Sequence, residues 1–120
     1  MSTAWDTEHG KFWTNGSNVS YRDSTLRFAE LSFQLDVETF IGLGSRCEYG
    51  TTPGFCNAQV SPLIGNDIYS KTKIETGVAL KEIGRRFGRQ THWARVFQAF
   101  GPNEKKERLV PGLIAKLQNN

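Results

Sequence analysis

Residues 79–97 read ALKEIGRRFGRQTHWARVF and carry the strongest helical pattern of the chain. Ala79, Ile83 and Phe87 repeat every four residues, so they share one face of an α-helix. Gly88 follows as a helix stop, because glycine adopts the left-handed conformation at a helix C-terminus without steric cost. We therefore predict a helix that begins near residue 76 and ends at this glycine.

A second helix is predicted directly after that stop. Thr91 has the residue type of an N-cap, and four apolar side chains after it are spaced as one helical stripe: Trp93, Val96, Phe97 and Phe100. Further on, a third apolar face follows Pro111 and consists of Leu113, Ile114 and Leu117. Residues 76–120 are thus predicted to form a helical layer.

The first two helices resemble a helix-turn-helix segment. Gly84 and Gly88 stand at the separation that lets two short helices cross steeply. In such motifs the second helix enters the major groove, where glutamine pairs with adenine and arginine with guanine. The resemblance implies nucleic-acid contacts by eight side chains: Lys81, Arg85, Arg86, Arg89, Gln90, Thr91, His92 and Arg95. The alternative is an ordinary amphipathic helix pair with a solvated basic face.

The charge of the chain is divided unevenly along the sequence. Residues 1–70 hold four basic and eight acidic side chains, whereas residues 71–120 hold eleven basic and four acidic ones. The net charges of −4 and +7 give the +3 of the whole chain. A concentrated positive field attracts polyanions, so the charge also favours a nucleic-acid partner.

The N-terminal part is predicted to be an antiparallel sheet. Residues 31–38, LSFQLDVE, alternate apolar and polar residues without error, which is the period of a half-buried strand. Asn15-Gly16 is the commonest signal for a two-residue hairpin turn between short strands. A helix over residues 24–40 is the weaker alternative, because Leu31 and Leu35 fall off its apolar stripe.

These patterns give a single α+β domain over residues 1–120, with strands first and helices later. We divide it into a loose arm (1–10), strands (11–40), an irregular loop region (41–75) and a basic helical region (76–120). Gly42-Leu43-Gly44-Ser45 superficially resembles a phosphate-binding turn, but it lacks the spacing of the dinucleotide fingerprint and the lysine of the P-loop. Plain turn chemistry is the preferred interpretation.

Neither a metal site nor a cofactor is predicted. Cys47 and Cys56 flank a turn and are expected to be reduced, and no histidine stands at zinc-like spacing from them. The polar N-terminus lacks a signal pattern, and no apolar run is long enough to cross a bilayer. The expected location is cytoplasmic.

The working hypothesis is a small, non-catalytic nucleic-acid-binding protein, with DNA more favoured than RNA. One alternative is a protein–protein interaction or inhibitor protein from a mobile element, which would be a homo-oligomer or would dock on an acidic protein. A third is a small nuclease, in which His9 and His92 would form an acid–base pair, or Asp36 and Glu38 would hold a metal.

Overall fold

The computed structural model describes residues 10–51, 54–105 and 107–118. They form five regular elements: α1 (Ser17–Gln34), β1 (Thr39–Ser45), α2 (Ile68–Phe87), β2 (Gln90–Val96) and α3 (Leu109–Gln118). A short 3₁₀ turn, Arg46–Tyr49, follows β1 directly. Among these residues no helix is both long and apolar enough to cross a membrane. Residues 1–9 of the predicted arm lie outside the described part of the chain.

The sheet is parallel, so the predicted antiparallel sheet and the α+β class are wrong. β1 pairs with β2 in register from Thr39 opposite Gln90 to Ser45 opposite Val96. Parallel neighbours need a crossover connection, and α2 lies in that connection. The described residues thus form a β–α–β unit of the α/β class, with α1 before it and α3 after it.

Residues 17–34 are helical, where strands were predicted. The buried apolar residues of α1 are Ala29 and Phe33, which are four positions apart. Leu31 and Leu35 are 46% and 80% exposed, so the perfect alternation of residues 31–38 was produced by two solvent-facing leucines. The predicted hairpin turn is instead the start of α1, where the Asn15 side chain accepts a hydrogen bond from the Ser17 backbone N–H (2.9 Å).

The prediction for α2 is correct at its end and too short at its start. Gly88 adopts the left-handed conformation with φ +61° and closes the helix after Phe87, as expected. The helix begins eight residues before Thr76, because Asp67 caps it by accepting from the Ser70 backbone N–H (2.7 Å). Residues 41–75 therefore contain most of β1, the 3₁₀ turn and the first two turns of α2.

The predicted second helix is the strand β2, so the helix-turn-helix assignment is wrong. After Gly88 the Arg89 backbone N–H donates to the Gly84 carbonyl (2.9 Å), and the chain continues in extended conformation. Burial alternates along β2, with Thr91, Trp93 and Arg95 on the more buried side. That period of two cannot belong to a helix.

The core lies where α2 covers one face of the sheet and α1 packs against α2. Its buried members come from α1, β1 and α2: Ala29, Phe33, Phe40, Leu80 and Ile83. Trp93 of β2 packs against this cluster. Each fully buried large apolar side chain contributes about 1.5–3 kcal/mol to the free energy of unfolding. The other face of the sheet leaves Ile41 53% exposed.

The last helical segment corresponds to α3. Pro111 lies in its first turn, where a missing backbone N–H removes no intrahelical hydrogen bond. Leu113, Ile114 and Leu117 are between 50% and 77% exposed, so their predicted apolar face is not part of the core.

Candidate active site

Three polar side chains meet at the carboxyl end of β1. Ser45 is the last residue of that strand, and Tyr69 is the second residue of α2. Lys73 follows Tyr69 by four positions, which places both side chains on the same face of the helix. In open parallel sheets the carboxyl ends of the strands are where ligands bind.

Tyr69 is buried, with 8% of its surface exposed. This burial raises the pKa of its phenol, while a side-chain hydrogen bond with Ser45 acts in the opposite direction. Phe12 and Trp13 pack edge-on against the ring, with centroids 5.1 and 5.7 Å away. The ring is therefore held in a fixed position by its aromatic neighbours.

Lys73 lies between Tyr69 and the sheet. Its Nζ donates to the carbonyl oxygen of Leu43 (2.9 Å) and is 5.8 Å from the centre of the Tyr69 ring. Burial lowers the pKa of the Lys73 ammonium group, and the negative charge of Glu48 opposes that effect. A partly buried ammonium close to a phenol favours the phenolate form of that phenol.

A cavity of about 460 Å³ opens beside these groups. Ser45 and Tyr69 form part of its wall, and much of the rest is apolar, including Phe12, Val96 and Phe97. Glu104 and Arg108 also line the cavity. Concave, mostly apolar sites with a few convergent polar groups are typical of small-molecule sites.

A buried polar network lies directly behind the site. Glu48 is fully buried and accepts hydrogen bonds from the Ser45 backbone N–H (2.8 Å), from Trp93 Nε1 (3.1 Å) and from Arg95 Nε (2.7 Å). The Arg95 guanidinium also lies 5.4 Å from the centre of the Tyr49 ring. The network links the end of β1 to β2.

The indole of Trp93 occupies space that three glycines leave open. A Cβ at Gly42 would lie 2.5 Å from the indole, one at Gly44 also 2.5 Å, and one at Gly77 2.9 Å. Real Cβ atoms essentially never approach a neighbour so closely. The glycines of residues 42–45 therefore serve the packing of Trp93 within a strand, and the plain-turn interpretation of that segment is wrong as well.

The eight side chains assigned to nucleic acid lie on α2, on β2 and on the turn between them. Lys81 is exposed on α2, and four arginines of the set are in ion pairs: Arg85 with Glu82, Arg86 with Glu30, Arg89 with Asp36 and Arg95 with Glu48. Gln90 and His92 are exposed on β2, whereas Thr91 lies against Gly84 of α2. No observation tests the contact of each of these side chains with nucleic acid, so their assignment stays a prediction. The helix-turn-helix on which it was based is not present in this segment.

The structure does not place His92, Cys47 or Cys56 in a catalytic or metal site. His9 lies outside the described residues, and His92 is exposed on β2. Cys47 and Cys56 are both free thiols. Within the described ranges, no group of three or more histidine, cysteine, aspartate or glutamate side chains is arranged to hold a metal ion.

The site residues themselves were missed by the sequence analysis. Tyr69 and Lys73 fell into a stretch interpreted as irregular, although their spacing of four residues after the capping Asp67 is a helical signal. Ser45 was visible only as a turn residue. The approach of the end of β1 to the start of α2 has no local sequence signal.

The comparisons with known proteins agree with this geometry. The family model of the NAD dependent epimerase/dehydratase family matches residues 10–120. Two crystal structures of dTDP-glucose 4,6-dehydratase DesIV from Streptomyces venezuelae, one a double mutant and both with NAD bound, are similar in fold. Each has a TM-score of 0.65 and 20% identity over 85% of this chain. This chain spans 31% of the length of each. No curated protein matches the sequence closely enough to count as a relative.

These matches correct the hypothesis drawn from the sequence. A β–α–β unit with parallel strands and similarity to an NAD-bound structure belongs to the Rossmann-like α/β class. The predicted DNA-binding function, the helix-turn-helix and the nucleic-acid partner are wrong, since the family model points to an NAD-dependent enzyme. With a match that runs from residue 10 to residue 120, the chain belongs to the NAD dependent epimerase/dehydratase family.

Proposed function

We propose that this chain supplies the proton-transfer side of the active site of an NAD-dependent epimerase or dehydratase. The observation that carries the proposal is the position of Tyr69, between the Ser45 hydroxyl and the Lys73 ammonium group and at the wall of the cavity. The role given to these residues is proton transfer at a substrate hydroxyl or carbonyl oxygen.

The proposed chemistry follows from the family's cofactor. NAD, when bound, supplies a hydride acceptor and donor for a secondary alcohol and its ketone. The hydroxyl proton of the alcohol must then be taken up by a base, and it must be returned when the ketone is reduced. Tyr69, in the wall of the cavity, fits both steps, as a phenolate base and as a phenol acid.

Ser45 and Lys73 influence the ionisation of the Tyr69 phenol. The side-chain hydrogen bond with Ser45 lowers the pKa of Tyr69 and so opposes part of the effect of burial. The Lys73 ammonium group, 5.8 Å from the centre of the ring, is a positive charge of the kind that favours a phenolate. Ser45 also lies in the cavity wall, so its hydroxyl can bind the same substrate oxygen that exchanges the proton. Rigid support comes from β1 and α2, which hold the two hydroxyls in fixed relative positions.

The hydrogen-bond donors of the site fit the nicotinamide end of NAD and not its pyrophosphate. Hydroxyl and ammonium donors beside an apolar wall suit the nicotinamide and its ribose, and Tyr69 and Lys73 are the residues that would contact that end. The segment 42–45 does not suit the pyrophosphate, because Trp93 fills the space above Gly42 and Gly44. Pyrophosphate binding by a glycine turn is therefore not assigned to this strand.

The substrate class that we propose is a nucleotide sugar. The two similar structures are of an enzyme named for dTDP-glucose, and the cavity here offers partners for hydroxyl groups. Glu104 Oε2 is buried and has no hydrogen-bond partner among the described residues, while its Oε1 lies 3.5 Å from Arg108 Nη1. A carboxylate oxygen in that position accepts a hydrogen bond from a sugar hydroxyl.

The proposal is tested by replacing the phenol. Turnover of dTDP-glucose with NAD by the full chain is followed by proton NMR of the sugar, and binding of each compound is followed by saturation transfer. Tyr69→Phe should lose about 10²–10⁴-fold in rate, because a positioned acid–base group contributes that much. Tyr21→Phe is the matched control, since Tyr21 lies on α1 and is not part of the cavity wall.

Two outcomes would contradict the proposal. One is a Tyr69→Phe variant that turns over as fast as the unchanged chain. The other is a folded chain that binds neither NAD nor a nucleotide sugar, because the site would then have neither of its reactants. A single domain over residues 1–120 and a cytoplasmic location remain sequence predictions that accompany the proposal.

A further inference from the structure

Glu48 is an unusual residue for the position it occupies. It lies in the 3₁₀ turn after β1, and none of its surface is exposed. Its carboxylate is satisfied by four hydrogen bonds from three residues: Ser45, Trp93 and Arg95. A buried ion pair recovers its desolvation cost only with such geometry, and apolar residues of similar size often stabilise a protein as well or better. Stability alone therefore does not account for a glutamate here.

The main chain of Glu48 connects the two elements that carry the site. Its carbonyl oxygen accepts from the backbone N–H groups of Ile64 (2.9 Å) and Gly65 (3.3 Å). These residues lead directly to Asp67, which caps α2. Glu48 is thus bonded to Ser45 through its side chain and to the entry of the Tyr69 helix through its backbone.

The carboxylate also acts on the site through its charge. The negative charge of Glu48 raises the pKa of both Lys73 and Tyr69, although burial is the larger cause of the shift in each. From the other elements around Tyr69, Cys47 of the turn and Asp67 of the helix cap raise its pKa in the same sense. Arg95 of β2 is the cation paired with Glu48 (2.7 Å).

We propose that Glu48, held by Arg95, is a positioning residue that sets both the geometry and the charge of the site formed by Ser45, Tyr69 and Lys73. This inference rests on the proposed function of that site. Glu48 itself touches no substrate, because it is enclosed behind Ser45. Its effect is to fix the Ser45 backbone and to keep one negative charge next to a phenol and an ammonium group.

The test measures the titration of Tyr69 directly. The chain contains three tyrosines, so labelling them with ¹³C at Cζ gives three NMR signals, and the signal absent from Tyr69→Phe identifies Tyr69. In Glu48→Gln the removal of an anion makes the phenolate easier to form. The Tyr69 signal should therefore titrate at lower pH than in the unchanged chain.

Glu30→Gln is the matched control. Glu30 is an exposed carboxylate that pairs with Arg86 (3.4 Å) on α2, and it is not a cause of the Tyr69 shift. Its replacement should leave the Tyr69 titration unchanged. An unchanged titration in a folded Glu48→Gln variant would overturn the inference.

A second variant covers the possibility that the single one does not fold. Glu48→Gln/Arg95→Met removes both members of the pair, so no unpaired charge stays buried. It should also move the Tyr69 titration to lower pH, but by less than Glu48→Gln does, because loss of the Arg95 cation partly cancels loss of the Glu48 anion. Loss of folding in both variants would also overturn the inference, because Glu48 would then be required by the fold itself.

Activity separates this inference from the proposed function. If Tyr69 acts as the base, the pH at which the rate of alcohol oxidation rises should move to lower pH in Glu48→Gln, in step with the NMR titration. A structural role alone would lower the rate without moving that pH. If the folded chain binds neither NAD nor a nucleotide sugar, the proposed function fails, and the NMR titration still decides whether Glu48 sets the state of Tyr69.

Discussion

The acidic first part of the chain and its basic second part are joined by two kinds of ion pair. Three pairs connect them in the same direction: Arg86–Glu30, Arg89–Asp36 and Arg95–Glu48. The first two lie at the surface, where the Asp36 side chain is 91% exposed, whereas the Glu48 side chain is fully buried. Water screens an exposed pair, but a buried carboxylate depends entirely on its partner.

That difference teaches how the uneven charge of the sequence is used. The cations of residues 71–120 were interpreted as a free field for a polyanion, yet several of them face carboxylates from residues 1–70 in the fold. Charge that is separated along a sequence can thus be complementary within one molecule. The comparison of buried and exposed pairs leads to three predictions.

The largest effect is expected for the buried pair. Glu48→Ala should lower the free energy of unfolding by about 3–5 kcal/mol, because it leaves the Arg95 guanidinium as an uncompensated buried charge. Urea denaturation followed by circular dichroism measures the change. Glu30→Ala, at an exposed pair, is the control and should stay within about 1 kcal/mol. Equal losses in both variants would remove the distinction between the pairs.

An intermediate loss of stability is expected at Gly44, which lies against Trp93 and Glu48 with no space for a side chain. Gly44→Ala would place a Cβ 2.5 Å from Trp93 Nε1 and also against the Glu48 carboxylate. Such overpacking should cost about 1–3 kcal/mol in urea denaturation. Gly101→Ala is a suitable comparison, because a Cβ there meets nothing within 4 Å. A Gly44→Ala chain as stable as the Gly101→Ala chain would show that the indole can shift freely.

The smallest effect is expected at the surface. Arg86→Ala and Arg89→Ala should each change the free energy of unfolding by no more than about 1 kcal/mol. Raising the salt concentration should shrink these differences further, because ions screen exposed pairs. The loss in Glu48→Ala should hardly respond to salt. Unfolding at low and high sodium chloride checks both expectations, and a large salt-resistant loss at either arginine would contradict them.

The end of α2 could be predicted from the sequence because its signal is local. Gly88 stops the helix after an apolar repeat of four, and the structure has the left-handed glycine there. α1 could not be predicted in this way. Its exposed Leu31 and Leu35 completed an alternation that a strand would also show, and only the tertiary packing of Ala29 and Phe33 separates the two interpretations.

The parallel sheet and the candidate site could not be predicted from the sequence for a related reason. β1 and β2 are about fifty residues apart in the chain, and no short pattern encodes their parallel pairing. Trp93 has the spacing of a helical stripe with Val96 and Phe97, although its indole fills a space made by glycines of two other elements. Ser45 and Tyr69 lie on different elements, β1 and α2, so their approach was recognised only in three dimensions.

The fit of Trp93 against Gly42, Gly44 and Gly77 has an evolutionary consequence. None of these four positions can change alone without either a clash or a hole, so they should covary among homologues. A lineage that replaces the indole by a smaller ring would be free to regain side chains at the three glycines. In such homologues the residue at position 93 would determine which side chains strand β1 tolerates at positions 42 and 44, although it is about fifty residues away in the sequence.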